Sequence, residues 1–413
     1  MTASSFGWLA HDDGERRRMM EVINLFREKG TLDELGIGTI RDTFADHFFP
    51  GTSTIQTRAR YFLFIPWMYQ QIEEERVPSS RAGRRARELH TLLVASLKKG
   101  GVGTNAGLIG IDAGDALQRL PSAIYWYGLG RWGIRLFPGS TDRYHASLDA
   151  QYREERAART SDGGELVNPA RRNWLPSTPP RPPAFMDTAT FDLTATEADF
   201  LAERIRRSAP DSLLAACLTP QTTRKASAKA PWDLGTDALP QRLRDDIEHA
   251  RLFSLVMEGA ALLYNRLLAE ASAAHFAAAD AARVDRYGAA LGRWAADMAA
   301  DGGALAEWDQ QDLWGRLAEL DPGIPYMARE FSRQWIERAR LDPATVMDDP
   351  AARELIRYRE RQTKGGLARL HNDRALERWS GASSLGRLTY RWDQAKGVVA
   401  DVLRGAQQPL ELP

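Results

Sequence analysis

Apolar residues recur along most of the chain at intervals of three and four, the spacing that places them on one face of an α-helix. Met19, Ile23 and Phe26 follow this spacing before Gly30, a typical helix terminator. The longest such stretch runs from Gln241 to about Ala274 and predicts a central core helix. The pattern therefore predicts a chain built mainly from α-helices.

Helix-ending glycines and capping residues divide the rest of the chain into further helices. Thr194 and Glu197 form a capping box, in which each side chain satisfies a backbone N–H of the other residue. Only Gly386–Trp392 alternates apolar and polar residues, which predicts a short strand. The fold class predicted is mainly α, with at most this strand near residues 386–392. Further helices are predicted over residues 54–76, 81–99, 123–132, 281–300, 309–320, 326–340, 351–362, 367–379 and 393–403.

Proline content and charge indicate two to three packed helical domains. Five prolines between residues 176 and 183, preceded by Pro169, predict a linker or extended wrap. Acidic residues outnumber basic ones between residues 231 and 350, and the order reverses from residue 353 to residue 404. We predict an N-terminal helical domain over 1–165, a Pro-rich linker over 166–190, an acidic central helical domain over 191–345 and a basic C-terminal helical segment over 346–413.

Overall charge and cysteine content restrict the class of protein. The 55 basic and 55 acidic residues cancel, so total charge gives no argument for binding nucleic acid or a membrane. The single cysteine, Cys217, excludes an internal disulfide and a four-cysteine zinc site. No signal peptide and no run of 18 apolar residues is visible, so we predict a cytoplasmic protein without a membrane partner.

Three clusters, within residues 58–67, 125–135 and 379–392, place arginines beside aromatic residues. Guanidinium groups pair with phosphates and aromatic rings stack on bases, so such clusters suit contact with nucleic acid. The alternative is that the rings belong to the core and the arginines pair with the chain's own carboxylates. The first interpretation requires these guanidinium groups to lie open to solvent. The nucleic-acid-binding residues predicted are Arg58, Arg60, Tyr125, Tyr127, Arg131, Arg387, Tyr390, Arg391 and Trp392.

Residues 112–133 have the outline of a helix-turn-helix. A short helical pattern from Asp112 is followed by the break Leu120-Pro121-Ser122 and by a second helix that Ser122 is expected to cap. If the second helix reads a groove of DNA, Tyr125, Tyr127 and Arg131 are its groove-facing candidates. The alternative is an ordinary pair of packed helices, since this second helix is unusually apolar for a DNA groove.

Motifs for catalysis and for metal binding are incomplete. The glycine-rich run Lys98–Gly107 lacks the Gly-Lys-Ser/Thr order of a phosphate-binding loop. The seven histidines show no ligand-pair spacing, so neither a metal nor a cofactor is predicted. The tripeptides Gln362-Thr363-Lys364 and Gln394-Ala395-Lys396 match part of a nuclease pattern, but both lie on predicted helices. Catalytic residues therefore stay unknown.

The chain contains a set of short motifs at Ser4–Leu9, Leu35–Gly38, Phe49–Ser53, Arg58–Phe64, Ile124–Trp126, Ala368–Asn372 and Leu388–Trp392. Together they resemble an uncharacterised bacterial family, number 6361 among the domains of unknown function. The resemblance covers nearly the whole chain and implies no catalytic residue. It implies a context, because relatives resemble components of gene clusters for phage defence that also encode helicases and phospholipase-D-like proteins.

Three hypotheses for function follow. The first is a non-catalytic helical subunit of a bacterial anti-phage defence system that binds DNA, RNA or a nucleic-acid-processing partner, such as the helicase or phospholipase-D-like protein. The second is an enzyme with a dispersed active site, for which a deep pocket with convergent carboxylates, His371 or Lys364 would be evidence. The third is a structural adaptor, for which an exposed apolar patch without basic surroundings would be evidence.

Overall fold

The computed structural model describes residues 33–110, 120–160, 172–219, 228–235, 237–275 and 281–408. Within these ranges the chain forms 15 α-helices and no β-strand. The first seven are α1 (Gly38–Phe48), α2 (Tyr61–Glu74), α3 (Ser79–Lys99), α4 (Pro121–Arg131), α5 (Thr141–Thr160), α6 (Ala195–Ser208) and α7 (Leu213–Cys217). The others are α8 (Gln241–His275), α9 (Ala281–Ala300), α10 (Gly302–Glu307), α11 (Gln310–Leu320), α12 (Tyr326–Leu341), α13 (Pro350–Lys364), α14 (Asp373–Glu377) and α15 (Trp392–Gly405).

The mainly α fold class is confirmed, but the strand predicted near residues 386–392 is wrong. Tyr390 and Arg391 have φ angles of 52° and 66°, in the left-handed region that no strand residue adopts. Trp392 then begins α15. The apolar residue at position 390 has another cause, which is burial of the Tyr390 ring in the core. Its hydroxyl donates a hydrogen bond to the Ala250 carbonyl oxygen at 2.7 Å.

The described residues form two compact units that are each discontinuous in sequence. The first unit comprises the described part of Met1–Phe44 together with Pro240–Tyr390, and the second comprises Ala45–Leu239 and Arg391–Pro413. These units differ from the consecutive domains predicted over 1–165, 191–345 and 346–413. Contacts between residues far apart in sequence define the units, and composition along the chain does not show such contacts.

The first unit is organised around the long helix α8, against which α9, α12 and α13 pack. Gly259 allows the close approach of α9, because a Cβ atom there would lie 2.3 Å from the Trp294 ring. The Trp335 indole of α12 donates a hydrogen bond to the Val256 carbonyl oxygen at 2.8 Å. Among the described residues, α8 alone has the length and composition of a membrane span, and 78% of its most apolar window is buried within the protein.

The second unit is built on α2, which is buried along most of its length. This helix begins at Tyr61, later than predicted, and it continues through Pro66. The Phe62 ring stacks on the Trp132 indole with centroids 3.9 Å apart. The aromatic residues of α2 therefore form the core of this unit.

The described part of the Pro-rich segment packs on the second unit. The Trp67 indole donates a hydrogen bond to the Pro179 carbonyl oxygen at 2.7 Å, and the Ser96 hydroxyl donates one to the Phe185 carbonyl oxygen at 2.8 Å. Residues 172–190 thus pack on helices of their own unit. Residues 161–171 lie outside the described residues.

Only the second half of the predicted helix-turn-helix can be compared with the structure, because residues 111–119 lie outside the described residues. The second helix, α4, begins at Pro121, and Leu120 occupies the N-cap position without a side-chain hydrogen bond. Ser122 therefore lies inside the first turn and is not the cap. Proline suits the first helical position because its missing N–H has no partner there in any case.

Candidate nucleic-acid interface

The two arginines of the first predicted cluster are bound to carboxylates of the second unit. Arg58 makes a two-pronged ion pair with Asp401, with both nitrogen–oxygen distances 2.9 Å. Arg60 pairs with Glu197 at 2.8 Å and donates a second hydrogen bond to the Thr190 carbonyl oxygen at 3.0 Å. Such partly buried pairs fix the guanidinium plane and neutralise its charge.

The three site residues predicted in the second cluster, Tyr125, Tyr127 and Arg131, also contact the protein. Tyr125 is fully buried, and its hydroxyl accepts a hydrogen bond from the Thr57 N–H at 2.8 Å. Burial raises the pKa of Tyr125 to about 12. Arg131 donates to the Ser208 carbonyl oxygen at 2.6 Å, and Tyr127 is half-buried. Tyr125 therefore cannot face a DNA groove in this structure.

The third cluster is divided between the units, and its arginines are paired within each. In the first unit, Arg387 pairs with Glu258 and with Asp297, each at 2.9 Å. In the second unit, Arg391 pairs with Asp46. Tyr390 and Trp392 are each 2% exposed. The Trp392 indole donates a hydrogen bond to the Ala228 carbonyl oxygen at 2.9 Å.

The expectation that these guanidinium groups lie open to solvent is wrong. Opposite charges attract more strongly at a partly buried position than in water, which favours pairing with the chain's own carboxylates. The buried rings offer no face to a base. Cations that an anionic polymer could reach lie elsewhere on the described surface.

The exposed side of α3 carries the clearest row of cations. The helix contains six basic residues and one acidic residue, Glu88. Its buried side is formed by small and apolar residues, among them Ala82, Ala86 and Leu89. The basic residues exposed on the opposite side, which we call the basic face of α3, are Arg81, Arg84, Arg87, Lys98 and Lys99.

Carboxylates compensate only part of the basic face of α3. Lys99 pairs with Asp187, and the Arg84 guanidinium approaches Glu88 at 3.8 Å, with 71% of the Arg84 side chain exposed. Among the described residues, Arg81 and Lys98 have no ion-pair partner. The charges of Arg81 and Lys98 are therefore available to an external anion.

The position of Arg81 also works against the stability of α3. It is the third residue of the helix, whose first turn contains no acidic residue. The N-terminal end of a helix carries partial positive charge, so a cation there costs about 0.3–1 kcal/mol when exposed. A cation placed where it destabilises the helix indicates a role other than folding.

Sequence reasoning missed this surface although its signal was present. A helix over residues 81–99 was predicted, and arginines at positions 81, 84 and 87 have the three-residue spacing of one helical side. The pattern of arginines beside aromatic residues selects core segments, because aromatic residues are mostly buried. The basic face of α3 has no aromatic neighbours in its own helix.

The residues named for an enzyme do not converge on a pocket. Lys364 pairs with Glu34, whose side chain is 1% exposed, whereas His371 lies on the surface. Burial raises the pKa of the Cys217 thiol to about 12, so this residue remains a neutral thiol. Within the described part of the chain, no group of three or more His, Cys, Asp or Glu side chains could hold a metal ion.

Comparisons with known proteins give one match. The model of a family of unknown function, DUF6361, matches residues 3–404. No curated protein and no solved structure matches the chain.

Proposed function

The chain belongs to this family of unknown function, and we propose from the geometry of its second unit that it is a non-catalytic subunit that binds nucleic acid. The observation that carries the proposal is the basic face of α3, where exposed cations outnumber the single carboxylate of the helix. Arg81 and Lys98 are separated by about 26 Å along the helix axis. This length matches roughly seven to eight base pairs of a duplex.

The ligand that fits best is the phosphate backbone of a double helix. Recognition of single strands relies on aromatic faces that stack on bases. Tyr125, Tyr390 and Trp392, the rings first considered for that role, are buried. The basic face offers cations alone, and cation–phosphate contacts position a protein on a duplex without reading its sequence.

The resemblance to components of phage-defence gene clusters supports a wider context for this proposal. In that context the chain is a cytoplasmic subunit of a bacterial defence assembly. Its partners are then a helicase or a phospholipase-D-like protein of the same gene cluster. Binding of duplex nucleic acid independently of its sequence suits a subunit that holds foreign DNA for such a partner.

A titration of a fluorescent DNA duplex with the full-length protein tests the proposal. We expect the triple variant Arg81→Gln, Arg84→Gln, Lys98→Gln to bind at least about 100-fold more weakly at low salt, because it loses three phosphate contacts. The matched control is Arg361→Gln, Arg374→Gln, Arg378→Gln. It removes the same charge from exposed positions of the first unit.

The two triple variants decide between a local site and a general charge effect. Equal weakening by both variants would assign the binding to net charge and would overturn the role of α3. If the protein binds vesicles of anionic lipid but does not bind the duplex, the ligand of the basic face is a membrane surface. Circular dichroism of each variant shows whether its helices remain folded.

A further inference from the structure

A loop rich in glycine follows the last turn of α3. We call residues 100–107 the glycine loop. Gly101 has a φ of 81°, in the left-handed region, and turns the chain back on the helix. The Val102 N–H then donates a hydrogen bond to the Leu97 carbonyl oxygen at 3.0 Å. The glycine loop therefore begins beside Lys98, a cation of the basic face that has no ion-pair partner among the described residues.

The base of the glycine loop is fixed to the residues that precede α2. The Thr57 hydroxyl donates a hydrogen bond to the Gly107 carbonyl oxygen at 2.7 Å, and the Arg58 guanidinium donates one to the Ala106 carbonyl oxygen at 3.2 Å. Gly107 has a φ of 95°, and a Cβ atom there would lie 2.9 Å from the Arg58 side chain. A loop anchored in this way loses little conformational entropy when it binds a ligand.

The tip of the glycine loop exposes three consecutive backbone donors. The Ala106 N–H bonds to the Gly103 carbonyl oxygen at 3.0 Å, which closes a turn with Thr104 and Asn105 at its corners. The N–H groups of residues 103–105 have no hydrogen-bond partner within the described part of the chain, and all three residues are exposed. A Cβ atom added at Gly103 would meet nothing within 4 Å. A ligand can therefore approach these donors closely.

The chemistry of the donors restricts the ligand. A backbone N–H can only donate, so the group it fits is an acceptor such as a phosphate oxygen. Residues 89–110 contain two lysines and no aspartate or glutamate. The segment packed beside Gly100 adds Asp187, which pairs with Lys99, and Asp192, which is exposed. The two aspartates equal the two lysines in number, so an anion at the loop is held mainly by hydrogen bonds.

We propose that the glycine loop is part of the duplex-binding surface and holds a backbone phosphate through the N–H groups of residues 103–105. This inference rests on the proposed function, because the basic face of α3 brings the duplex to the loop. Phosphate contacts from backbone N–H groups fix the register of a protein on a duplex. The glycines follow a helix here, whereas those of a nucleotide-binding loop precede one. The run Lys98–Gly107 therefore binds phosphate in a different arrangement.

The variant Gly103→Val covers the donors without removing a charge. Its side chain points into open space and its φ lies outside the left-handed region, so the fold should be unchanged. The branched side chain keeps a phosphate away from the neighbouring N–H groups. In the duplex titration we expect the full-length variant to bind at least about tenfold more weakly than the wild type, because hydrogen bonds to a charged group are lost. The matched control is Gly366→Val, at a glycine of the first unit that also has open space around it.

Salt dependence separates hydrogen bonding from charge in this experiment. A lysine that neutralises a phosphate releases counterions, so Lys98→Gln should reduce the magnitude of the slope of the logarithm of the association constant against that of salt concentration by about 0.9. A neutral N–H group releases no counterion. Gly103→Val should therefore lower the affinity and leave the slope unchanged.

Three results would overturn the proposal. If Gly103→Val binds as tightly as the wild type while Arg81→Gln, Arg84→Gln, Lys98→Gln binds more weakly, the loop holds no phosphate and the proposed function stands. If Gly103→Val reduces the slope as Lys98→Gln does, the valine acts by displacing Lys98. If the wild type does not bind the duplex, both proposals fail. Gly103→Ala, with its smaller side chain, gives the same comparison if circular dichroism shows that Gly103→Val does not fold.

Discussion

Replacing His90 by leucine should remove much of the acid sensitivity of the second unit. His90 lies on the buried side of α3 and is 4% exposed. Neither ring nitrogen makes a well-aligned hydrogen bond, and the nearby Ile109 backbone offsets the effect of burial only in part. Burial lowers the pKa of His90 to about 4, and the charge of Arg87 adds to this effect. The folded protein therefore holds the ring neutral.

The size of the effect follows from the difference between the pKa of His90 in the folded protein and its pKa in the unfolded chain. In the unfolded chain the histidine pKa is about 6.5, so unfolding takes up a proton between pH 6.5 and pH 4. Stability is therefore complete above pH 6.5 and is lost as the pH falls. For these two pKa values the free energy of unfolding decreases by about 2 kcal/mol between pH 7.5 and pH 5.

Urea denaturation at pH 7.5 and at pH 5, for the wild type and His90→Leu, measures this contribution. Other titrating groups affect both proteins equally, so the difference between the two pH dependences isolates His90. We expect the variant to lose about 2 kcal/mol less than the wild type on acidification. His371→Leu, at an exposed histidine, is the control. Equal losses in wild type and His90→Leu would refute the reasoning.

Two further substitutions test the packing of each unit. Asp401→Ala should destabilise the second unit by about 3 kcal/mol because it leaves the Arg58 guanidinium without its carboxylate, and a change below about 0.5 kcal/mol in thermal denaturation would contradict this. Gly259→Ala should destabilise the first unit by about 1–3 kcal/mol, since its Cβ would overlap the Trp294 ring. Gly292→Ala, with open space around it, should instead stabilise α9 by about 0.5–1 kcal/mol. Equal melting temperatures for the two glycine variants would show that the close approach at Trp294 is unimportant.

Local features of the fold were predictable because they depend on residues close together in sequence. Apolar periodicity predicted a helix from Gln241 to about Ala274, and α8 is Gln241–His275. The capping box of Thr194 and Glu197 is present at the start of α6, with both hydrogen bonds formed. Periodicity and capping each involve residues within one or two helical turns.

The carboxylate partners of the arginines were not predictable, because they lie far from the arginines in sequence. Arg58 and Asp401 are 343 positions apart, and Arg391 and Asp46 are 345 positions apart. Periodicity identifies the buried side of a helix but not the carboxylate that packs against it. An arginine beside aromatic residues therefore has the same sequence pattern whether it binds a phosphate or an internal aspartate.

The salt dependence of duplex binding tests the role of the basic face of α3 most directly. The logarithm of the association constant falls linearly with the logarithm of salt concentration, with a slope of about −0.9 for each phosphate contact. We predict that Arg81→Gln, Arg84→Gln, Lys98→Gln reduces the magnitude of this slope by about 2.7 relative to the wild type. An unchanged slope would contradict the account, because it would mean that none of these side chains contacts a phosphate.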